Sequence, residues 1–283
     1  MTRVVCVHGI AQEVKGAEVL AAVWTPALRD GVRLAGGIPP SPDEVSIAFY
    51  GNLFREPGSK ALGAPPYVAG DVEDGSEWEL LQAWWEEAAR TDPAVPGPGE
   101  KTKLRTPFVV QRALNALSQS RFFAGLGEHL IIGMIKQVHA YLTDDRVRTA
   151  VQERVGAAVS KDTRVLVGHS LGSVVAYEAA CAHTEWPVTL VTLGCPLGVR
   201  HIVFDRLRPA PVAGHGVFPA GVRSWTNVAD EGDVVALVKK LRPLFGDRVV
   251  DETINNGARA HDVSPYLTAV ETGAAIAAGL SAS

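Results

Sequence analysis

Short apolar runs recur along the chain and predict the strands of a buried sheet. Residues 4–7 form an unbroken apolar run, which is typical of a strand covered on both faces in a parallel sheet. Residues 45–50 alternate between apolar and polar positions and predict a second strand. Further strands are predicted at 163–167, 188–193 and 223–228, with a weaker one at 249–250.

Helical periodicity fills the intervals between these strands. The first helix is predicted over residues 16–32, with Pro26 kinking or ending it. The last is predicted to begin at Ser264-Pro265, with serine as N-cap, and to run to Leu280. This alternation predicts an α/β fold, with helices on both faces of a mostly parallel sheet. Two more helices are predicted at 145–159 and 173–183, and the first helix is expected to group Val19, Ala22, Val23 and Leu28 on one side.

Residues 51–142 interrupt the alternation and show no strand pattern. Ser76 and Glu79 form a capping-box pattern at the start of a predicted helix. The apolar stripe of that helix is either a lid face that contacts an acyl chain or ordinary helix packing. We therefore predict one domain, with a core at 1–50 and 143–283 and a helical, lid-like insertion at 51–142. The apolar stripe consists of Trp78, Leu81, Trp84 and Trp85. Two further helices of the insertion are predicted around Val110, Leu114 and Leu117 and around Ile131, Met134, Ile135, Val138 and Leu142. The loops between these helical pieces include Pro57-Gly58, Pro65-Pro66 and Pro96-Gly97-Pro98-Gly99.

Composition narrows the class of protein. The chain has 283 residues and is 47% hydrophobic, which is enough to form a sizeable core. Its net charge of -4 gives no reason to expect a nucleic-acid partner. No apolar stretch reaches the ~18 residues of a membrane span. Cys6, Cys181 and Cys195 have neither a disulfide nor a metal-ligand spacing. A cytoplasmic setting without stable membrane insertion or a metal is expected.

Residues 168–172 carry the clearest chemical signal in the chain. Gly168-His169-Ser170-Leu171-Gly172 matches the G-x-S-x-G pattern, between a predicted strand and a predicted helix. That setting lifts the hydroxyl of Ser170 above the sheet, and the two glycines avoid clashes beside the tight turn. Ser170 is therefore predicted to be a nucleophile.

Acyl transfer also needs two backbone N–H groups directed at the developing oxyanion. One is expected from Leu171, which follows the nucleophile. The other is expected from the loop after the first strand, where Ile10 is preferred and Gly9 is the alternative. His8 is expected to shape this loop through a hydrogen bond rather than to transfer protons.

A general base is expected downstream of Ser170. His261 lies in the loop between the last predicted strand and the last helix, from which a side chain can reach the carboxyl edge of the sheet. It is preferred to His183, His201 and His215.

The acid that orients this base is expected just after the strand at 223–228. Asp233 is preferred because the apolar residues that follow it would anchor its loop and partly bury its carboxylate. Asp230 is the principal alternative, with the capping of a turn as its structural role. Glu231, Asp205 and Asp251 remain weaker candidates.

Together these motifs resemble the α/β-hydrolase superfamily, and within it the lipase and esterase-like members. The resemblance covers residues 1–50 and 144–283 and includes the serine elbow, the early His8-Gly9 strand end and the stretches around Asp233 and His261. The chain departs from these members in having valine after Asp233, where proline is frequent. The insertion carries no recognisable lid pattern and is the part of the chain expected to select the substrate.

The expected activity is hydrolysis of a carboxylic ester through an acyl-enzyme on Ser170, with His261 and Asp233 completing a triad and without a cofactor. The expected partner is a small-molecule acyl substrate. One alternative keeps the triad but acts as a thioesterase or acyltransferase on a carrier-bound or natural-product acyl group. Another is a non-catalytic binding module with the same fold.

Overall fold

The chain folds around a single parallel sheet. The structure is a computed structural model that describes residues 1–55, 67–99, 106–120, 123 and 126–282, and within these ranges every strand pairing is parallel. The strands are β1 (Val4–Val7), β2 (Val45–Ala48), β3 (Val165–His169), β4 (Thr189–Leu193), β5 (Ser224–Asp230) and β6 (Val249–Ile254). The order across the sheet is β2-β1-β3-β4-β5-β6, which leaves β3 and β4 in the middle and β1 in the interior, between β2 and β3.

Successive side chains of β1 enter two separate hydrophobic clusters. Val4 and Cys6 belong to one cluster, while Val5 and Val7 belong to the other. All four residues are fully buried. Because neighbouring side chains of a strand point to opposite faces, this alternation means that both faces of the sheet are covered. The prediction of an α/β fold with helices on both faces is confirmed.

The helices divide between these two faces. The helices are α1 (Ala17–Leu34), α2 (Ser76–Thr91), α3 (Pro107–Gln119), α4 (Glu128–Thr143), α5 (Asp145–Ala158), α6 (Leu171–Ala182), α7 (Arg242–Phe245), α8 (Val263–Thr268) and α9 (Val270–Ser281). One face is covered by α1, α8 and α9, through residues such as Trp24, Tyr266 and Ile276. The other is covered by the helices from α2 to α6, through residues such as Leu114 and Val174.

The region predicted as an insertion contributes α2, α3 and α4, and its described residues contain no strand. Its buried residues belong to the same hydrophobic cluster as one face of the sheet. The capping box predicted at Ser76 is not formed, because Gly75 is the N-cap and the hydroxyl of Ser76 instead hydrogen bonds His139 of α4 at 2.8 Å. Pro57-Gly58 and Pro65-Pro66 lie outside the described residues.

Two helix predictions differ from the structure. Pro26 does not end α1, which continues to Leu34. Val19 and Val23, predicted on the same side as Leu28, are 56% and 47% exposed. The buried stripe of the helix is instead formed by Leu20, Trp24, Leu28 and Val32. The helix predicted from Ser264 to Leu280 is two helices, since Ala269 is extended (φ -60°, ψ 140°) between α8 and α9. The N-cap of α8 is Asp262, whose carboxylate accepts from the N–H of Ser264 at 2.9 Å. In the described ranges, no helix has both the length and the apolar character needed to cross a bilayer.

Candidate active site

Ser170 is the single residue between β3 and α6. Its backbone has φ 56° and ψ -132°, a conformation that is unusual for a residue with a side chain. Such strain persists only where the surrounding structure enforces it, and it is frequent at functional sites. The turn puts Ser170 at the carboxyl end of a central strand and at the N-terminus of a helix, where the helix dipole favours negative charge.

The two glycines of the motif allow the turn to pack against its neighbours. A Cβ atom on Gly172 would lie 2.2 Å from the carbonyl oxygen of Val7, and one on Gly168 would lie 2.6 Å from the carbonyl oxygen of Gly172. Neither contact can be relieved without moving backbone. The packing of this turn therefore requires glycine at both positions, 168 and 172.

His261 and Asp233 form a hydrogen-bonded pair beside the elbow. The Nδ1–H of His261 donates to Oδ2 of Asp233 at 2.7 Å. The hydroxyl of Tyr266 donates to the same oxygen at 2.8 Å, and the N–H of Val235 donates to Oδ1 at 2.9 Å. With its proton on Nδ1, the neutral imidazole of His261 has a lone pair at Nε2, as a general base requires.

The environment of Asp233 keeps its carboxylate ionised. Burial by itself would raise the pKa of this fully buried group, but the neighbouring His261 and the hydrogen bonds from His261, Val235 and Tyr266 together lower the pKa below its ordinary value. An ionised acid holds the imidazole in one tautomer and stabilises its protonated form.

A second histidine supports the loop that carries His261. The Nε2–H of His169 donates to the backbone carbonyl of His261 at 3.0 Å, and the two rings lie 4.6 Å apart. Burial, reinforced by the charge of His261, lowers the pKa of His169 to about 3. His169 is therefore neutral near pH 7 and serves this loop as a hydrogen-bond donor.

The loop after β1 packs directly against Ser170. A Cβ atom on Gly9 would lie 2.7 Å from the Cβ of Ser170, so no larger residue fits there. His8 donates from Nδ1 to the carbonyl of Gly9 at 2.7 Å and accepts the N–H of Tyr50 at Nε2 at 3.1 Å. Burial above all lowers the pKa of His8 to about 4, which keeps this donor–acceptor pattern at neutral pH. His8 thus shapes the loop as expected from the sequence.

The hydrogen bond from His8 also orients the N–H of Ile10. A trans peptide has its C=O and N–H in opposite directions, so fixing the carbonyl of Gly9 fixes the direction of the Ile10 N–H. Within the part of the chain that the structure describes, no protein oxygen accepts from the N–H of Ile10 or of Leu171. Both groups can therefore donate to a ligand bound at Ser170.

The alternative acids have structural partners instead. Asp230 accepts from the N–H of Gly232 at 2.7 Å and from the N–H of Asn256, so it caps the loop after β5. Asp251 accepts from the N–H of Leu241 at 2.8 Å, and Asp205 accepts from the N–H of His201 at 2.8 Å. Glu231 lies in a different cavity, beside Asn256.

The alternative bases also lie elsewhere. His183 stacks on Trp186 with ring centroids 4.0 Å apart and hydrogen bonds Glu185. His201 is 84% exposed beside Asp205, and the backbone of His215 pairs with Val212. Neither these three histidines nor the alternative acids line the cavity at Ser170.

Ser170 and His261 line one cavity of about 460 Å³, a size typical of small-molecule sites. Much of its wall is apolar, and one part comes from α1, whose exposed Val19 and Val23 lie at this cavity. The insertion contributes Trp84 of α2 and Met134 of α4. Of the four residues of the predicted apolar stripe of α2, Trp84 alone lines this cavity. Trp78, Leu81 and Trp85 are buried in helix packing.

Sequence reasoning did not identify Tyr266 and His169 as parts of this site. Tyr266 lies in the predicted last helix, and His169 occupies a variable position of the serine motif. Their roles depend on hydrogen bonds to Asp233 and to the backbone of His261, 33 and 92 residues away. Periodicity and motif spacing carry no signal for such contacts.

Comparison of the chain with protein-family models finds no match, and comparison with curated proteins finds none either. In the described part of the chain, no group of three or more His, Cys, Asp or Glu side chains could hold a metal ion. The molecule is thus an α/β protein whose parallel sheet and flanking helices are compatible with the α/β-hydrolase fold.

Proposed function

We propose that the protein is a serine hydrolase that cleaves a carboxylic ester through an acyl-enzyme. The observation that carries the proposal is the shared cavity of Ser170 and His261, with His261 bonded to a buried, ionised Asp233 at 2.7 Å. Nucleophile, base and orienting acid are the set that acyl transfer requires.

The reaction has two balanced halves. Ser170 attacks the ester carbonyl as His261 takes the hydroxyl proton, and the tetrahedral intermediate collapses when His261 returns that proton to the leaving alcohol. Water then attacks the acyl-enzyme by the same route, which releases the carboxylic acid and regenerates Ser170. Proton transfer of this kind contributes roughly 10²–10⁴ in rate.

The negative charge of each intermediate is held by the N–H groups of Ile10 and Leu171. They lie on separate elements, the loop after β1 and the start of α6, so the oxyanion is bound from two sides. Losing one such donor in a hydrolase costs about 10²–10³ in kcat. The apolar part of the cavity wall favours an acyl or alkyl substituent over a charged one.

The first test is labelling with a fluorophosphonate, which transfers its phosphonyl group to an activated serine hydroxyl with loss of fluoride. We expect one label per wild-type molecule, on Ser170, and none on Ser170→Ala. Ser118→Ala is the matched control, because this serine lies in α3 and does not line the cavity. It should label like the wild type.

Turnover then distinguishes the acyl-transfer classes. We expect p-nitrophenyl esters of short to medium acyl chains to be hydrolysed by the wild type and not by Ser170→Ala. Faster cleavage of matched acyl thioesters would instead support a thioesterase. A folded wild-type protein that neither reacts with the fluorophosphonate nor hydrolyses an ester or a thioester would support a non-catalytic binding module. That result would overturn the proposal.

A further inference from the structure

The loop that carries Ile10 is attached to the insertion by one side chain of α4. The side-chain oxygen of Gln137 accepts from the N–H of Ala11 at 2.9 Å, and its amide nitrogen donates to Glu13 at 3.0 Å. Both ends of the amide are therefore used on the same loop.

These contacts act on a backbone that needs support. Ala11 has φ 58°, in the left-handed region that is strained for a residue with a side chain. The peptide between Ile10 and Ala11 is held at both ends, because Gln137 takes its N–H and the amide of Gln12 donates to its carbonyl at 3.1 Å. His8 holds the preceding peptide by its carbonyl. The direction of the Ile10 N–H thus depends on two adjacent peptides, and Gln137 fixes the second.

The same helix also forms part of the cavity wall. Met134 lines the cavity and precedes Gln137 by three residues, which puts both side chains on one side of α4. A group bound against Met134 therefore contacts the helix that holds the oxyanion loop.

We infer that Gln137 is a positioning residue for the oxyanion hole, and that through it the insertion governs the rate of acyl transfer as well as the shape of the cavity. This inference rests on the proposed function. Gln137 touches neither the substrate nor the reacting atoms; it acts by keeping the N–H of Ile10 directed at the oxyanion. Because the oxyanion exists only in the intermediates and their transition states, the effect belongs in kcat rather than in KM.

The test replaces Gln137 in two ways. Gln137→Ala removes both hydrogen bonds, while Gln137→Glu keeps an acceptor for Ala11 but loses the donor and repels Glu13. We expect kcat to fall about 10- to 100-fold in both variants, less than for outright loss of an oxyanion donor, with KM within about twofold. Fluorophosphonate labelling should slow in parallel, and the thermal unfolding midpoint should change little because Ala11 is exposed and water can replace the lost partner.

Two controls separate positioning from general loosening. Gln111→Ala removes a glutamine that joins α3 to α4 through Glu128 at 2.6 Å but does not contact the loop, and it should leave kcat unchanged. Combining Gln137→Glu with Glu13→Gln exchanges the donor and acceptor across the bridge, and we expect it to restore most of kcat.

Hydrogen exchange gives a readout that does not need turnover. The amides of residues 9–13 should exchange faster in Gln137→Ala than in the wild type or in Gln111→Ala. Unchanged kcat in Gln137→Ala, a rise in KM alone, or an equal loss in Gln111→Ala would overturn the inference while leaving the proposed hydrolase intact. A wild-type protein that does not react with the fluorophosphonate would instead overturn the proposed function.

Discussion

At the scale of single residues, the hydrogen-bond acceptors around each histidine of the candidate site determine which ring nitrogen carries a proton. Backbone carbonyls can only accept, so the bonds of His8 to Gly9 and of His169 to His261 require N–H donors on both rings. The ionised Asp233 imposes the same requirement on Nδ1 of His261. His8 and His169 are thus neutral rings with a defined tautomer, and Nδ1 of His261 carries a proton.

Asp233 and Asp230 make a matched pair for testing which acid serves catalysis. Asp233→Asn should lower kcat by about 10⁴, because an amide can present a donor to His261 and favour the wrong tautomer. Asp230→Asn should leave kcat within a few fold and lower the free energy of unfolding by about 1–3 kcal/mol, since it weakens the acceptor of two loop N–H groups. Ester hydrolysis and denaturant unfolding of both variants measure these effects, and the reverse pattern would assign the acid to Asp230.

Residue by residue, the sequence reveals the members of the site that follow strand ends. Ser170, Asp233, His261 and Ile10 were all selected because each comes just after a predicted strand or in a loop between elements, and parallel strands bring such positions to one edge. Gln137 was not selected, because its role depends on a loop 124–126 residues away in the chain. Which side chain meets that loop depends on how α4 packs, and helical periodicity does not determine that.

At the scale of elements, the α1 helix explains why a simple amphipathic pattern misassigns a face. Leu20, Trp24 and Leu28 are buried in the cluster that covers the sheet, and Leu20 and Trp24 also reach the cavity. Val19 and Val23 line the same cavity but remain half exposed. Apolar residues that form a cavity wall have the same periodicity as core residues. The interior strands β1 and β4, by contrast, lie within one residue of their predicted bounds, because both their faces are covered. The weaker edge strand predicted at 249–250 spans Val249–Ile254.

The α2 helix contains a pair of neighbouring tryptophans with different surroundings. Both indoles are buried, but Trp84 also lines the cavity, whereas Trp85 does not and donates to the carbonyl of Pro96 at 2.6 Å. Trp84→Leu should enlarge the cavity and shift the preferred ester to longer acyl chains. Each additional buried CH₂ is worth about 0.8 kcal/mol, or about fourfold in kcat/KM.

The control for this prediction is Trp85→Leu. It should lower the thermal unfolding midpoint without moving the optimum of a p-nitrophenyl ester series. An equal shift in chain-length preference in both variants would mean that the helix as a whole, and not the indole of Trp84, sets the size of the cavity.

At the scale of the whole molecule, two buried neutral histidines link stability to pH. The pKa of His8 is lowered to about 4 and that of His169 to about 3, while an unfolded histidine titrates near 6.5. Between these values the unfolded chain binds more protons than the folded one, so stability falls as the pH falls below about 6.5. Each unit of pKa difference contributes about 1.4 kcal/mol. Asp233, whose pKa is lowered, adds its own loss only below the ordinary carboxyl range near 3.9.

Denaturant unfolding at pH 7, 6, 5 and 4 measures this dependence. We expect His169→Gln to be less stable than the wild type at pH 7 but to lose less stability on acidification. His201→Asn is the control, because the side chain of His201 is 84% exposed, and its pH profile should match the wild type. A wild-type stability that is flat from pH 7 to 4 would contradict the prediction.

The interior position of β1, between β2 and β3, has a consequence for the synthesis of the chain. Val4 pairs with Val165 across about 160 residues of sequence, so β1 is made long before its inner neighbour exists. At about 5–20 residues per second, a ribosome takes roughly 8–30 s to add that length. During this interval the apolar 4–7 segment has β2 as its only possible partner in the sheet, and its other edge stays open to association with other nascent chains. A chaperone that binds short apolar segments would therefore act on this protein mainly before β3 leaves the ribosome.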